Sequence, residues 1–243
     1  MPAPLNLYLV RHGESEANLN YDLNKLKSDH TIVLSDNGQQ QPVVATQALV
    51  AHLQQRYDED ALPRRLHLYV SPYVRTRQTA DGIQKSLEEA GFSTTRTESV
   101  FLREIEYGLF DGIADEDLPK TFPIEYAHFE KLLRDQGRFY ARMPMGESRC
   151  DVAQRVHQFF GTLQRDHQRH GADNVVIVTH GVTLRAFVMM WCGLTPEWIE
   201  AEPNPPNCAV RAIEGGVDQG YIFPGFKPTR DHIAQERREA GII

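Results

Sequence analysis

Short apolar or β-branched runs alternate along the chain with longer segments in which apolar residues recur every three or four positions. The short runs predict strands at 5–10, 66–71, 94–100, 175–179, 208–214 and 221–223. The longer segments predict helices at 35–57, 73–90, 148–167 and 182–192. Strands and helices that alternate in this order predict a three-layer α/β/α sandwich. Its central sheet is expected to be mostly parallel, with a ligand crevice at the carboxyl ends of the strands.

The strongest helical pattern is the segment 148–167, whose apolar residues fall on one face. These residues are Val152, Val156, Phe159, Phe160 and Leu163. Their spacing is typical of a helix that packs against a sheet. The segment 35–57 contains Pro42. Because a straight helix tolerates proline only in its first turn, this helix either starts later than Ser35 or bends at Pro42.

Two segments lie outside this alternation. Residues 114–142 are polar, with scattered aromatic side chains and no strand pattern. They predict a helical insertion, or lid, over the ligand crevice. Residues 227–243 are charged and predict a peripheral tail, either a surface helix or a frayed terminus. The chain has neither an internal repeat nor a low-complexity linker, so we expect residues 1–243 to form a single domain.

Composition narrows the classes of partner. The 243 residues are 41% hydrophobic and carry a formal net charge of -7. A net-acidic surface does not attract polyanions at long range, so neither nucleic acid nor a membrane is expected as a partner, and any anion site must be local. The cysteines Cys150, Cys192 and Cys208 form no CxxC pair. They predict small buried side chains in a reducing compartment. With no leader-like or membrane-length apolar segment, we expect a soluble cytoplasmic protein.

Four segments carry residues suited to phosphoryl chemistry at or near predicted strand ends. Arg11 and His12 follow the first strand, and His180 follows the strand at 175–179. Arg75 lies in the first turn of a helix, and Glu104 lies in the loop after the third strand. Phosphoryl transfer to a side chain requires a neutral nucleophile, cations around the phosphoryl oxygens and an acid for the leaving oxygen. Each residue alone is more often structural or solvated, but together they predict such a site.

The order of these residues resembles a known family. The motif residues are Arg11-His12-Gly13-Glu14-Ser15 with Asn18, Ser71-Pro72 with Arg75-Thr76-Arg77-Gln78-Thr79-Ala80, Leu102-Arg103-Glu104 with Gly108, and Thr179-His180-Gly181. This set resembles the histidine phosphatase superfamily, in the branch that contains cofactor-dependent phosphoglycerate mutase. The similarity extends from Leu5 to about Glu214.

The resemblance implies a role for each residue at the first strand end. His12 would be the nucleophile that becomes phosphohistidine on Nε2, with its other ring nitrogen held by a backbone carbonyl. Arg11 and Arg75 would clamp the phosphoryl oxygens, and Asn18 would donate a further hydrogen bond. The two guanidinium groups would also disfavour the imidazolium form of His12, because like charges repel.

The same resemblance assigns the remaining site residues. His180 and the backbone N–H of Gly181 would complete the phosphate pocket. Glu104 matches the family's proton donor, which protonates the leaving oxygen and, in a hydrolase, then activates water. Glu106, two residues further along the loop, is the alternative acid. Neither a metal nor another cofactor is expected, because the arginines and His180 supply the positive charge that a metal would bring.

The family contains both hydrolases and mutases. A mutase needs further cations for a second phosphate, which in mutases come from an insertion with an Arg-Arg pair. Residues 114–142 contain no such pair, and Ala17 stands where mutases usually carry tryptophan. We therefore expect a phosphomonoester hydrolase that acts on a small phosphorylated substrate. A mutase-type phosphotransferase is the first alternative, and a non-catalytic phospho-ligand binding protein on the same fold is the second.

Other polar residues near the motifs have weaker assignments. Glu147 and Ser148 are predicted first as caps of the following helix and only secondarily as support for the phosphate site. Asn207, after a proline-rich entry to a strand, could approach the site. Three arginines of the insertion would help to set the substrate, namely Arg134, Arg138 and Arg142. The substrate itself and the oligomeric state stay open at this level.

Overall fold

Six strands form one mixed sheet in this computed structural model, which describes residues 5–20, 23–56 and 64–227. The strands are β1 (Asn6–Arg11), β2 (Arg65–Val70), β3 (Ser93–Glu98), β4 (Asn174–Thr179), β5 (Val210–Glu214) and β6 (Val217–Phe223). They lie in the order β3-β2-β4-β1-β5-β6. Each predicted strand is present. The last begins at Val217, before the predicted 221, because β5 turns directly back through Gly215 and Gly216 to pair with it.

The first four strands in that order run parallel. β1 pairs with β4, β4 with β2, and β2 with β3 in parallel registers, while antiparallel β5 and β6 extend the sheet beside β1. The prediction of a mostly parallel sheet is confirmed. Arg11 at the end of β1 lies opposite Thr179 of β4, and Val70 at the end of β2 lies opposite Val178. The loops that follow β1, β2 and β4 therefore leave the sheet at one edge.

Helices cover both faces of the sheet. They are α1 (Glu16–Leu19), α2 (Leu23–Leu26), α3 (Asp36–Arg56), α4 (Val74–Glu89), α5 (Leu118–Thr121), α6 (Pro123–Gln136), α7 (Arg149–His170), α8 (Gly181–Cys192) and α9 (Pro196–Ala201). One buried apolar cluster joins Leu9 of the sheet to Phe159 of α7 and Phe187 of α8. A second cluster joins Val10 of the sheet to α3 and α4. The predicted α/β/α sandwich is confirmed.

Helix α7 follows the predicted pattern closely. All five of its predicted apolar positions are buried against the sheet. The helix continues past the predicted end at 167 to His170. Gly171, with a φ of 62°, ends it in the left-handed conformation. Such a C-terminal glycine is a common helix stop.

Helix α3 begins at Asp36, so Pro42 lies inside the helix. At this proline, α3 packs closely against α4. A Cβ atom at Gly82 would lie 2.9 Å from Cβ of Pro42, so only glycine lets the two helices approach this closely at that point. Nearer its start, α4 contacts the loop after β1, where the backbone N–H of Gly13 donates to Oγ1 of Thr79 at 3.0 Å.

Glu147 and Ser148, the two residues before α7, have different roles. Ser148 is the predicted cap: its Oγ accepts from the backbone N–H of Asp151, and its own N–H donates to the Asp151 carboxylate. The prediction that Glu147 also caps the helix is wrong. Its carboxylate accepts instead from Arg155 at 2.8 Å and from Arg103 at 2.9 Å. Charge-assisted bonds from two guanidinium groups are stronger than those from neutral backbone N–H groups.

Within the insertion at 114–142, helical structure covers α5 and α6 only. Three of its aromatic rings surround Phe110 with centroid separations of 5.5 to 6.4 Å, those of Phe122, Tyr126 and Phe129. The predicted tail from 228 onward lies outside the described residues. Cys208 is buried as predicted, whereas Cys150 and Cys192 are partly exposed at the edge of the core. In the described ranges, no helix combines the length and the apolar character needed to cross a lipid bilayer.

Candidate active site

Two histidines from different strand ends meet at the carboxyl edge of the sheet. His12 follows β1 and His180 follows β4, and their ring centroids are 5.3 Å apart. The backbone N–H of His12 donates to the carbonyl of Thr179 at 2.9 Å, which ties the first strand end to the second. Both imidazoles are buried. Because β1 and β4 are adjacent and parallel, the fold itself brings these residues together.

His12 is held in one tautomer. Its Nδ1–H donates to the carbonyl oxygen of Gly13 at 2.7 Å. Because a carbonyl only accepts, Nδ1 carries the hydrogen and Nε2 retains its lone pair. Burial, followed by the charges of Arg75 and Arg11, holds the pKa of His12 well below its ordinary 6.5. The imidazole is therefore neutral and nucleophilic at Nε2 near neutral pH.

His180 is oriented by a serine at the end of β2. Its Nε2 lies 2.8 Å from Oγ of Ser71, and the Tyr73 ring packs at its edge with centroids 5.0 Å apart. Among the described residues, Nδ1 of His180 has no hydrogen-bond partner although it is buried. Burial, then Arg75, keeps the pKa of His180 well below 6.5. Next to it, Gly181 begins α8, so its backbone N–H lies at a helix N-terminus that favours anions.

Arg11 lies between the two histidine loops and the segment that precedes β5. Its Nη1 donates to the carbonyl of Pro205 at 2.5 Å, while its buried Nε–H has no partner within the described residues. Burial lowers its pKa, whereas Glu104 acts in the opposite direction. A buried guanidinium with a spare donor beside a neutral imidazole is suited to bind an anion.

Arg75 projects from the first turn of α4 and is engaged by a residue that the sequence did not single out. Its Nη1 donates to the carbonyl oxygen of Asp29 at 2.6 Å, and its Nη2 donates to Oδ2 of the same residue at 3.1 Å. Its Cζ lies 5.1 Å from the centroid of the Tyr73 ring. After burial, the charge of Arg75 is the largest cause of the lowered pKa values of both His12 and His180, so Arg75 belongs to the same site.

Glu104 approaches the site from the loop after β3. One carboxylate oxygen accepts from the backbone N–H of Val182 at 3.2 Å. The other accepts from the N–H of Ile105 at 3.0 Å and from that of Thr183 at 3.3 Å. Glu104 therefore sits at the N-terminal turn of α8, directly after His180 and Gly181. The helix dipole and these donors orient the carboxylate toward the histidine loop.

Glu106 lies in a different environment. Its side chain is 50% exposed and pairs with Nε of Arg103 at 2.8 Å. Its backbone N–H donates to Glu147 at 3.1 Å. Arg155 bonds to both oxygens of Glu147 and donates to the carbonyl of Glu104 at 3.1 Å. This buried network fixes the loop so that Glu104 points inward and Glu106 outward.

Asn18 and Asn207 lie beside the His12 loop and are hydrogen-bonded to it and to each other. Oδ1 of Asn18 accepts from the backbone N–H and the hydroxyl of Ser15, at 3.0 and 3.1 Å. It also accepts from Nδ2 of Asn207 at 3.2 Å, and Nδ2 of Asn207 donates to the His12 carbonyl at 3.2 Å. Asn18 thus completes the capping box of α1, in which Ser15 is the N-cap, and its amide nitrogen is the end available for donation. Asn207 does approach the site, as its position before β5 suggested.

Sequence reasoning missed the groups that orient the site. Asp29 lies in a polar segment with no periodic pattern, so no signal marked it. Tyr73 was also missed, although its place three residues beyond the end of β2 was an available hint. Burial and the neighbouring Asp29 carboxylate raise the pKa of Tyr73 to about 12. Arg155 lies on α7, where the periodic pattern marks only the apolar positions, so no signal marked it either. Two of the insertion arginines, Arg134 and Arg142, pair with nearby aspartates at the surface.

A cavity of about 320 Å³ lies away from these residues, at the amino ends of β2 and β4. It is lined by His67, Thr95, Asp166 and Asn174, among others. The groups suited to bind an anion nevertheless lie at the carboxyl edge of the sheet, among the neutral imidazoles and the buried arginines. Over the described ranges, no group of three or more histidine, cysteine, aspartate or glutamate residues could hold a metal ion.

Comparison with known proteins gives consistent matches. The model of the histidine phosphatase superfamily (branch 1) matches residues 7–222. The chain is 35% identical over 239 residues to the phosphoglycerate mutase-like protein AT74 of Arabidopsis thaliana, which covers 95% of this chain and 71% of that protein. It is 28% identical over 290 residues to the broad-range acid phosphatase DET1 of Saccharomyces cerevisiae, with 87% and 85% covered.

Solved structures agree on the fold. Bacillus stearothermophilus YhfR matches with a TM-score of 0.64 at 24% identity, over 89% of this chain and 95% of that chain. At this identity the likeness concerns the arrangement of strands and helices alone.

Proposed function

The chain belongs to the histidine phosphatase superfamily (branch 1), and from this membership we propose that it is a phosphomonoester hydrolase that acts through a phosphohistidine on His12. The observation that carries the proposal is the state of His12. Its Nδ1–H is bonded to a carbonyl, and its pKa is depressed by burial, Arg75 and Arg11. Such an imidazole can attack phosphorus through Nε2 without first losing a proton.

In the first step Nε2 of His12 forms a bond to phosphorus as the bond from phosphorus to the ester oxygen breaks. Glu104, in its protonated form, transfers its proton to the leaving oxygen. Arg11 and Arg75 neutralise the charge on the phosphoryl oxygens. The buried Nε–H of Arg11 supports this role for the guanidinium.

In the second step water attacks the phosphohistidine. The Glu104 carboxylate accepts a proton from the water, and the bond from phosphorus to Nε2 breaks. Inorganic phosphate leaves, and His12 returns as the neutral imidazole while Glu104 is again protonated. Asn18, His180 and the N–H of Gly181 are the further groups that we propose to contact the phosphoryl oxygens in both steps.

Hydrolysis is favoured over a mutase reaction because residues 114–142 carry no Arg-Arg pair and because two arginines near the site already pair with carboxylates. Arg103 is bonded to Glu106 and Glu147, and Arg149 is paired with Glu200 at 2.6 Å. A second phosphate on the substrate would need unpaired cations. The broad-range acid phosphatase among the relatives also supports a phosphatase of the acid type acting on small phosphorylated molecules.

The direct test is hydrolysis of a generic aryl phosphate by the wild type and by His12→Ala. We expect turnover in the wild type and none above background in the variant. An active His12→Ala would contradict the mechanism. Chelation with EDTA is expected to leave the rate unchanged, because Arg11 and Arg75 carry the positive charge that a metal would otherwise bring. A loss of activity that a divalent ion restores would contradict that expectation.

A second assay separates hydrolase from mutase. The protein is incubated with 3-phosphoglycerate, with and without 2,3-bisphosphoglycerate, and both isomerisation and phosphate release are followed. Release of phosphate at least as fast as isomerisation is the expected result. Isomerisation that depends on the bisphosphate and outpaces release would establish a mutase. Binding of phosphate without any turnover would indicate a phospho-ligand binding protein.

A further inference from the structure

Asp29 contacts the candidate phosphate clamp Arg75 through both its main chain and its side chain. Its carbonyl oxygen accepts from Nη1 of Arg75 at 2.6 Å. Its carboxylate lies 2.8 Å from Nη1 through Oδ1 and accepts from Nη2 through Oδ2 at 3.1 Å. The Arg75 side chain is 6% exposed and that of Asp29 is 30% exposed. The pair is therefore bidentate and largely shielded from solvent.

These contacts leave one edge of the guanidinium for a ligand. The N–H groups of a guanidinium form a rigid planar fork. Asp29 engages the Nη1 end and one side of Nη2, so the Nε–H and the other N–H of Nη2 form the adjacent edge. Any rotation of the guanidinium plane would break its bonds to Asp29. The direction of the remaining edge is thus set by Asp29.

Helix α4 ties the Asp29 segment to the nucleophile loop. One turn after Arg75, Oε1 of Gln78 accepts from the backbone N–H of Leu34 at 2.7 Å. Oγ1 of Thr79 accepts from the N–H of Gly13 at 3.0 Å. The same helix face therefore holds both the segment that carries Asp29 and the residue after His12.

We propose that Asp29 is a positioning residue for Arg75, which holds the guanidinium so that its Nε edge faces the phosphoryl group attacked by His12. Asp29 acts through Arg75 and needs no contact with the substrate. The presence of that phosphoryl group rests on the proposed function, whereas the contact between Asp29 and Arg75 is a feature of the structure. A misplacement of about 1 Å in a positioning contact can cost about 100-fold in rate.

A double-mutant cycle tests this role. Asp29→Ala, Arg75→Ala and the double variant are compared with the wild type in kcat and KM for an aryl phosphate. Their affinities for inorganic phosphate are measured by calorimetry. Asp29→Ala is expected to lower kcat/KM by about 10- to 100-fold and to weaken phosphate binding. In the Arg75→Ala background the same substitution is expected to change neither quantity by more than about twofold, because its target is absent.

Two controls separate positioning from folding. Asp81→Ala breaks an exposed ion pair between α4 and Arg96 and is expected to behave as the wild type. Asp29→Asn retains the main-chain carbonyl and one side-chain acceptor, so it should recover part of the lost kcat/KM. If Asp29→Ala does not fold, Asp29→Asn replaces it in the double-mutant cycle with Arg75→Ala. Thermal unfolding of each variant identifies a folding defect.

The possible outcomes distinguish a failure of the Asp29 role from a failure of the proposed function. An active wild type in which Asp29→Ala is without effect, or is equally harmful with and without Arg75, overturns the positioning role and leaves the proposed function intact. An inactive wild type whose phosphate affinity shows the expected cycle overturns the proposed function and supports the role of Asp29. A wild type that neither hydrolyses the ester nor binds phosphate overturns both.

Discussion

Glu104 and Glu106 stand two residues apart, yet their carboxylates lie in different surroundings. Glu104 is bonded to the first turn of α8, next to His180 and Gly181. Glu106 is half exposed and neutralised by Arg103. Only a carboxyl group that lies beside the phosphoryl pocket can transfer a proton to the leaving oxygen. The surroundings of the two side chains therefore favour Glu104 as the acid.

This difference gives a prediction at the residue scale. Glu104→Gln is expected to lower kcat for an aryl phosphate by about 100-fold or more, because the amide cannot donate or accept the proton. Glu106→Gln removes one surface ion pair and is expected to change kcat by less than about threefold. The measurement is kcat for both variants on the same substrate. A larger loss for Glu106→Gln would assign the acid to Glu106, and equal losses in the two variants would contradict the assignment to Glu104.

Individual residues were predictable from the sequence where they lie at strand ends. His12, His180 and Arg11 follow apolar runs whose positions in a parallel sheet bring them to one edge. Their partners were not predictable, because they depend on contacts between distant segments. Asp29 reaches Arg75 only when the polar segment before α3 folds over α4. Glu147 was expected to cap α7, but its carboxylate accepts instead from Arg103, in the loop after β3, and from Arg155, two turns further along α7.

At the scale of elements, the loop that carries Glu104 is locked against the turn before α7. The N–H of Leu109 donates to the carbonyl of Pro144 at 3.0 Å, and the N–H of Glu147 donates to the carbonyl of Glu106 at 2.8 Å. Gly108 lies between these bonds with a φ of 59°, and a Cβ atom there would lie 2.2 Å from the Pro144 carbonyl oxygen. Both the conformation and the close contact require glycine.

Gly108→Ala is expected to lower the free energy of unfolding by at least about 2 kcal/mol, because the backbone must move to relieve the contact. Gly171→Ala is the matched control: this glycine has a φ of 62° and a ψ of 38°, and a Cβ atom there would meet no atom within 4 Å. It should cost about 1 kcal/mol, the strain of a positive φ alone. Urea denaturation of both variants checks the difference. Equal losses would contradict close packing of the two segments.

The positions of the helices and strands were predictable from the periodicity of hydrophobic residues, and most of their ends from the residues that cap helices or form turns. The helical pattern of α7 was unambiguous because its apolar residues occupy one face. Its end at His170 was missed because the last turn is polar, and the glycine stop lies beyond it. The insertion at 114–142 has no comparable pattern. Its aromatic side chains pack on Phe110, a contact that no local spacing encodes.

At the scale of the whole molecule, the buried neutral histidines couple folding to pH. The pKa values of His12 and His180 are held below 6.5 in the folded protein, mainly by burial. Below pH 6.5 the unfolded chain binds protons at these positions and the folded protein does not. The free energy of unfolding therefore falls as the pH drops through 6.5, by up to about 1.4 kcal/mol per pH unit for each histidine.

The corresponding measurement is urea denaturation between about pH 7 and about pH 5.5. The wild type should lose stability over this range, and the double variant His12→Asn, His180→Asn should lose distinctly less. His157→Asn, on the exposed face of α7, serves as the control and should follow the wild type. Parallel pH dependences for the wild type and the double variant would contradict the neutral state of the buried pair.

The architecture of the whole chain was the most predictable level, since alternating strands and helices admit few arrangements. The mostly parallel sheet, its two flanking layers and the edge that carries the site follow from that alternation. The substrate is not encoded at this scale, because it depends on which side chains of the surrounding loops face the phosphate. Two of the three arginines of the insertion, Arg134 and Arg142, for example, pair with neighbouring aspartates at the surface.

The central claim is that His12 carries the phosphoryl group during turnover. It is tested most directly by stopping the reaction with alkali, which preserves phosphohistidine, and mapping the modified peptide by mass spectrometry. We predict a single phosphoryl group on His12 in the wild type and none in His12→Asn, which should also lack turnover. Turnover with no phosphoryl group on His12, or with the label on another residue, would contradict the account.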